Sequence, residues 1–321
     1  MGTLIERPTA SVIPLYAQHL IGVAPLCRLV VPHPRASSVH ALLSWLEGAW
    51  QIKDLASTNG TFLDGARAQA GVWTRLWEGV SLGFGGPEGA YTLISAAPPE
   101  ALAILQRHER VERIAGGLIP LPDGDQPEVI VLQDAQGDWV IERQAQVELA
   151  QDGQLVQTRG QTWRLSLPGA AHQTLRDAHG PTTLSSLVLR FDVSFDGDRV
   201  TLTLLFPDGA ERRLEPRAHH ALLLSLARRW AQDLASGAAP LDAGWVSMDD
   251  LARELPASER LAAWGRINLH VYKARRELAE LGVESASALI ERRRGQELLR
   301  FGGARAQIHD ADGVLDGNLL V

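Results

Sequence analysis

The sequence predicts a mainly β N-terminal half, a β-sandwich followed by a small β subdomain, joined to an α+β C-terminal domain. Three observations carry this. Up to about residue 97 the apolar segments are short, spaced by Gly and Pro, and partly alternating, as sandwich strands are. From about 128 to 168 strand signals return, separated by Gly-containing turns. From about 187 onward, period-two segments give way to helical periodicity and then to a closing hairpin. With 321 residues the chain has room for two or three domains. The boundaries read as a sandwich at 12–97, a helix and linker at 98–127, a β-rich subdomain at 128–186, an α+β domain at 187–303 and a tail at 304–321.

Residues before about 11 read as a loose lead-in. Within the sandwich, the stretch Asp54-Leu55-Ala56-Ser57-Thr58-Asn59-Gly60-Thr61-Phe62-Leu63-Asp64-Gly65 reads as a strand end, a tight polar turn, a short strand and a second turn. Asn-Gly is a strong turn signal because both residues tolerate positive φ. The neighbouring hydroxyls, amide and backbone N–H groups gather at one loop tip, which suits an anion or a polar peptide. Trp45, Trp50, Trp73 and Trp77 read as core or rim packing. Pro98-Pro99 opens an amphipathic helix through Ala101, Ile104, Leu105 and His108, and Pro120 to Asp125 reads as a linker. Val129 to Leu132, Asp138 to Ile141, Gln154 to Val156 and Thr162 to Leu165 follow as strands. His172 and His179 lack a carboxylate at ligand spacing and read as surface histidines.

In the C-terminal third, Leu189 to Phe195 and Val200 to Leu204 form a small sheet about an Asp196-Gly197-Asp198 turn. A helix from Arg217 to Leu234 carries the stripe Leu222, Leu223, Leu226 and Trp230. A short helix through Leu251 and Leu255 and a longer one from Ser258 to Leu281 come next. Ala288 to Arg292 and Leu298 to Phe301 form the hairpin, and the polar, acidic tail from Gly303 reads as loose.

Composition bounds the function. The chain is 45% hydrophobic and 21% charged, with a net charge of -7, so no broad affinity for polyanions follows, although a local basic face remains open. The one cysteine, Cys27, excludes an internal disulfide framework and a cysteine-rich zinc site. No apolar run is long enough to span a bilayer, and the N-terminus lacks the layout of a secretory signal, so a cytoplasmic location is expected, with no membrane partner. There is no Gly-rich phosphate loop with Lys, no His/carboxylate metal motif and no nucleophile elbow. The reading therefore assigns no catalytic residue, no metal and no cofactor.

Two resemblances sharpen the reading. Ser37-Ser38-Val39-His40-Ala41, then Trp50-Gln51-Ile52 leading into the Asp54–Gly65 stretch, then Leu76 to Gly85, closely resemble the forkhead-associated (FHA) domain over about residues 12 to 97. That resemblance implies a β-sandwich whose loop tips bind phosphothreonine peptides, with Ser37, Ser38, Thr58 and Asn59 on contacting positions and His40 bracing the loops. It implies a protein partner, a target of a Ser/Thr kinase for instance. The family's phosphate-gripping Arg after Gly22 is Val23 here. Valine cannot replace a bidentate guanidinium, so weak or absent phosphate preference is expected, with Arg28 and Arg35 the neighbouring cations able to substitute.

The C-terminal order of elements, with Gly265-Arg266-Ile267-Asn268-Leu269-His270-Val271-Tyr272-Lys273-Ala274-Arg275-Arg276-Glu277-Leu278, resembles the winged-helix output domain of OmpR-type response regulators. On a helix, Ile267, Val271, Ala274 and Leu278 share a docking face, while Arg266, His270 and Lys273 share another, flanked by Asn268 and Arg275. The resemblance implies duplex DNA as partner, contacted by those residues and by wing residues Arg292, Arg293 and Arg294, and dimers on paired half-sites. Glu277, Glu280 and Glu291 dilute the positive face. Two functions follow: a transcription regulator with a protein input and a DNA output, or an interaction adaptor that has kept neither phosphopeptide nor DNA binding.

Overall fold

A computed structural model describes residues 1–105, 111–113, 117–168, 182–195, 199–254, 262–310 and 313–319. His108, His172, His179, the turn expected at 196–198, and Leu255 and Ser258 of the expected helices lie outside the described residues. The fold separates into two compact units: Met1–Arg113 with Gln151–Gln157 and Thr162–Arg176, and Ile114–Ala150 with Thr158–Gln161 and Asp177–Val321.

Among the described residues, the sandwich of the first unit is built on two sheets, one of six strands and one of five. Their facing side chains, including Leu4, Ile21, Leu43, Trp50, Ile52, Leu82 and Leu93, form one buried core. Alternation makes this possible, because inward positions recur every second residue along each strand. The lead-in is not loose. Thr3–Glu6 pairs antiparallel with Tyr91–Ser95, and Ser11–Pro14 pairs with Thr3–Glu6. Leu4 is fully buried, which pins the segment. Trp50 is also buried, with Trp45 edge-on to it at 5.3 Å, whereas Trp77 is 52% exposed. The helix expected after Pro98-Pro99 is absent at its start: Leu102–Leu105 is a strand, paired with Val111–Arg113 and with Gln161–Ser166. A short apolar run does not distinguish strand from buried helix by period alone, and here cross-strand pairing decides.

The second unit begins with a sheet in the order Leu118–Leu121, Val129–Gln133, Trp139–Arg143, Gln146–Leu149. The linker expected at 120–125 therefore starts inside a strand. Further on, Val188–Val193 and Val200–Leu205 pair antiparallel as expected. Among the described residues three α-helices follow: α1 (Ala218–Ala235), α2 (Met248–Glu254) and α3 (Ala263–Glu280). The hairpin Ile290–Arg292 and Leu298–Phe301 comes after them. The tail expected to be loose instead supplies Arg305–Asp310, which lies parallel to Val188–Val193 and extends its sheet. In α3, Ile267, Val271, Ala274 and Leu278 are all buried, the docking face that helical periodicity requires. No helix among the described residues is long and apolar enough to cross a membrane.

Candidate functional site

The loop rim of the first unit is assembled by hydrogen bonds centred on His40 and Asp54. The Ser37 N–H donates to His40 Nδ1 at 3.0 Å, and the opposite ring nitrogen lies 3.1 Å from the Gly60 carbonyl. The first bond needs a lone pair on Nδ1, so Nε2 carries the proton and His40 is neutral. Burial, opposed by the Gly60 bond and the Asp54 charge, keeps its pKa below the ordinary histidine value. Asp54 organises the turn. Its carboxylate accepts from the Ser57 N–H (2.9 Å), the Ser57 hydroxyl (2.6 Å) and the Thr61 hydroxyl (2.6 Å). Burial pushes this carboxyl up, but those bonds outweigh it and hold its pKa below the ordinary value.

Two bonds join the loops directly: Thr58 N–H to Ser37 Oγ at 3.1 Å, and Asn59 Nδ2 to the Arg35 carbonyl at 2.8 Å. The structure thus brings Arg35, Ser37, Thr58 and Asn59 together, with exposed Ser38 beside them. Gly22 is required under this rim, because a Cβ there would lie 2.3 Å from the Ser38 carbonyl oxygen. The left-handed pair expected at Asn59-Gly60 is found at Asp64-Gly65 instead, with φ of 47° and 80°, closing the Thr61–Leu63/Ala66–Arg67 hairpin.

The departure at position 23 is explicit. The Val23 N–H donates to the Ser37 carbonyl at 3.1 Å, and the residue is 39% exposed. Leu26, on the same loop, is 67% exposed. Of the two substitute cations, Arg28 lies with its guanidinium carbon 3.6 Å over the Tyr16 ring, while Arg35 is exposed on the rim. Cys27 is buried and donates to the Ser38 carbonyl at 3.3 Å.

The residues expected to face DNA are distributed differently from the helical-wheel reading. Arg275 is 1% exposed and forms a two-pronged ion pair with Glu142, at 2.8 and 3.1 Å, and its Nη2 also donates to the Ile290 carbonyl. The Arg292 side chain is 5% exposed; its Nε donates to Glu142 at 3.1 Å and its Nη2 to Asn268 Oδ1 at 2.6 Å. Burial pushes the Glu142 carboxyl up; the Arg275 and Arg292 charges and hydrogen bonds overcome this and hold it below its ordinary value. Arg294 is bound by Asp134 and Asp138. These placements correct the expectation for Arg275, Arg292, Arg294 and Asn268, whose polar groups face the 118–149 sheet or one another. The wheel gives a helix face but cannot show which strand covers it. Arg266, Lys273 and Arg293 are exposed and His270 is half-buried, with Arg293 stacked 5.4 Å over Trp245.

Sequence reasoning missed Glu142, although a carboxylate ending the apolar run Trp139-Val140-Ile141 was the available signal. It also missed His219 and His220, whose Nε2 atoms both lie 2.8 Å from one Glu277 oxygen. Burial opposes ionisation of Glu277, but the two histidine hydrogen bonds lower its pKa to about 2. These three are the described groups close enough to hold a metal ion. The geometry favours a hydrogen-bonded anchor between α1 and α3 instead. His220 Nδ1 accepts the Arg217 N–H at 3.3 Å, which leaves the proton on Nε2, and the Arg217 guanidinium lies 3.2 Å from the same carboxylate.

Comparison with known proteins accords with the rim. Residues 19–85 match the FHA domain family. The FHA domain-containing protein FhaB of Mycobacterium tuberculosis is 41% identical over 81 residues, 25% of this chain and 46% of that protein. Its namesake in Mycolicibacterium smegmatis is 41% identical over 64 residues, 20% of this chain and 41% of that protein. The chain therefore spans less than half the length of these relatives. Among solved structures, Mycobacterium tuberculosis EmbR in complex with a low-affinity phosphopeptide aligns with a TM-score of 0.27 and 23% identity, covering 30% of this chain and 25% of that one. Residues 19–85, in the N-terminal part of this chain, therefore form an FHA domain.

Proposed function

We propose that this chain is a non-enzymatic cytoplasmic signalling adaptor whose FHA domain docks a partner protein through Arg35, Ser37, Ser38, Thr58 and Asn59 without depending on a phosphate. The observation that carries this reading is Val23, an exposed aliphatic side chain beside Ser37. A phosphate needs charge-assisted donors to offset its desolvation; the rim supplies hydroxyls, one amide and the cation Arg35, with the Arg67 guanidinium lying against Gly60 at its side. An extended peptide with a polar or acidic residue facing Arg35 and an apolar one facing Val23 and Leu26 fits this surface better. The partner is expected to lie close to a Ser/Thr kinase pathway.

The adaptor reading is preferred over DNA-binding transcription regulation because Arg275, Arg292 and Arg294 are engaged by Glu142, Asp134 and Asp138. What remains outward on α3 and the hairpin is Arg266, Lys273 and Arg293. The test is calorimetry on the full chain with paired phosphorylated and unphosphorylated threonine peptides. Wild type is expected to show no phosphate preference. Val23→Arg is expected to create one of about tenfold or more, the size of a charge-assisted bidentate contact. A wild-type preference abolished by Arg35→Ala would overturn the reading.

A further inference from the structure

A cavity of about 330 Å³ opens between the 290–301 hairpin and the 129–149 strands of the second unit. Its lining carries five arginines: Arg275, Arg292, Arg293, Arg294 and Arg300. Only three carboxylates line it with them, Asp134, Glu142 and Glu291. The arginines differ in how far they are neutralised. Arg300 is saturated by Glu291 and by the carbonyls of Pro240 and Leu241. Arg294 is held by Asp134 and Asp138. Arg275 and Arg292 share the single charge of Glu142. Behind the wall, Arg275 Nε is buried with no acceptor among the described residues, so positive potential there is incompletely offset. Arg293, at the mouth, is exposed and stacks on Trp245, whose other arginine neighbour is Arg300 at 4.6 Å.

We infer that this cavity is a binding site for a small phosphate monoester. Counting Asp138 on Arg294, the arginines exceed the carboxylates by one, a positive balance concentrated at Arg275, Arg292 and Arg293 that suits an anionic phosphate group, which arginine forks bind through paired N–H donors. The volume lies within the range of small-molecule pockets, roughly 300–1,000 Å³, and is larger than inorganic phosphate needs. The organic part of the ester occupies the space over Val140, Val147 and Ala288. The site is separate from the FHA rim and does not rest on the adaptor reading.

Calorimetry on the full chain tests it with adenosine monophosphate, a hexose phosphate, adenosine and inorganic phosphate. One or both monoesters are expected to bind, and the stronger identifies the organic part; adenosine is expected not to. Arg293→Ala is expected to weaken binding about tenfold, the equivalent of one charge-assisted contact, with an unchanged circular dichroism spectrum. Arg35→Ala, on the FHA rim, is expected to bind as wild type. No heat with either monoester up to about 10 mM, an undiminished affinity in Arg293→Ala, or equal loss in Arg35→Ala overturns the proposal. Inorganic phosphate binding as tightly as the monoesters overturns the ester assignment.

Discussion

The FHA rim and the Glu142 cluster are both polar constructions, yet they use polarity in opposite ways. At the rim, His40 is neutral, and Asp54 is satisfied by backbone and hydroxyl donors rather than by a cation. The buried Asp54 charge is met by dipoles, and Ser38, Thr58 and Arg35 stay at the surface. In the second unit, charges are the foundation: Arg275, Arg292 and Glu142 are buried together. A rim whose scaffold is held by backbone and hydroxyl dipoles leaves its functional groups to a partner. An arginine that holds up a core is spent on its own chain.

The largest test of this contrast is Glu142→Ala. Removing the carboxylate leaves two guanidinium groups buried without their counterion, and such a break costs about 3–5 kcal/mol. Chemical denaturation should show the second unit's transition moving to lower denaturant. A loss below about 1 kcal/mol would mean that the cluster is solvated in solution.

Acid should separate the units next. Burial, and then the Arg28 charge, lower the pKa of His19 to about 3 from 6.5. The unfolded chain thus takes up a proton that the folded one refuses. The first unit is expected to lose stability as pH falls below 6.5, by up to about 1.4 kcal/mol per unit, until about 3; His40 acts in the same direction. Glu277, facing Arg217, His219 and His220, has its folded pKa lowered to about 2, so its contribution is present above the ordinary carboxylate pKa and is lost only as pH falls toward 2. Melting curves between pH 7 and pH 3 should show the FHA domain softening first; simultaneous softening of both units from pH 6 would contradict this.

The smallest effect expected is Asn59→Ala. It deletes the 2.8 Å bond to the Arg35 carbonyl at a partly exposed site, a change of about 1 kcal/mol. Its partner affinity should fall more than its melting temperature. A fall in stability alone would make Asn59 a structural brace.

How much was legible beforehand depended on sequence distance. The Ser37–His40 and Asp54–Gly65 motifs placed the rim because its geometry is set by turn chemistry a few residues long. The buried stripe Ile267, Val271, Ala274 and Leu278 followed from one helical period. The strands Leu102–Leu105 and Arg305–Asp310 were not legible, since each is made a strand by a partner far along the chain, Gln161–Ser166 and Val188–Val193. Arg275 was misjudged for the same reason: the wheel set it at the edge of an open face, and only Glu142, far upstream in sequence, shows that it is enclosed.

The parallel pairing of Arg305–Asp310 with Val188–Val193 also has a consequence for biogenesis. Synthesis runs from the amino end, so Val188–Val193 leaves the ribosome with one long flank unclaimed and waits while α1, α2, α3 and a hairpin are made. The FHA domain has its own sandwich strands in hand much sooner. A chaperone or protease meeting the nascent protein would therefore encounter a finished FHA domain and an open-edged second unit, and early termination before residue 305 would leave that edge exposed for good.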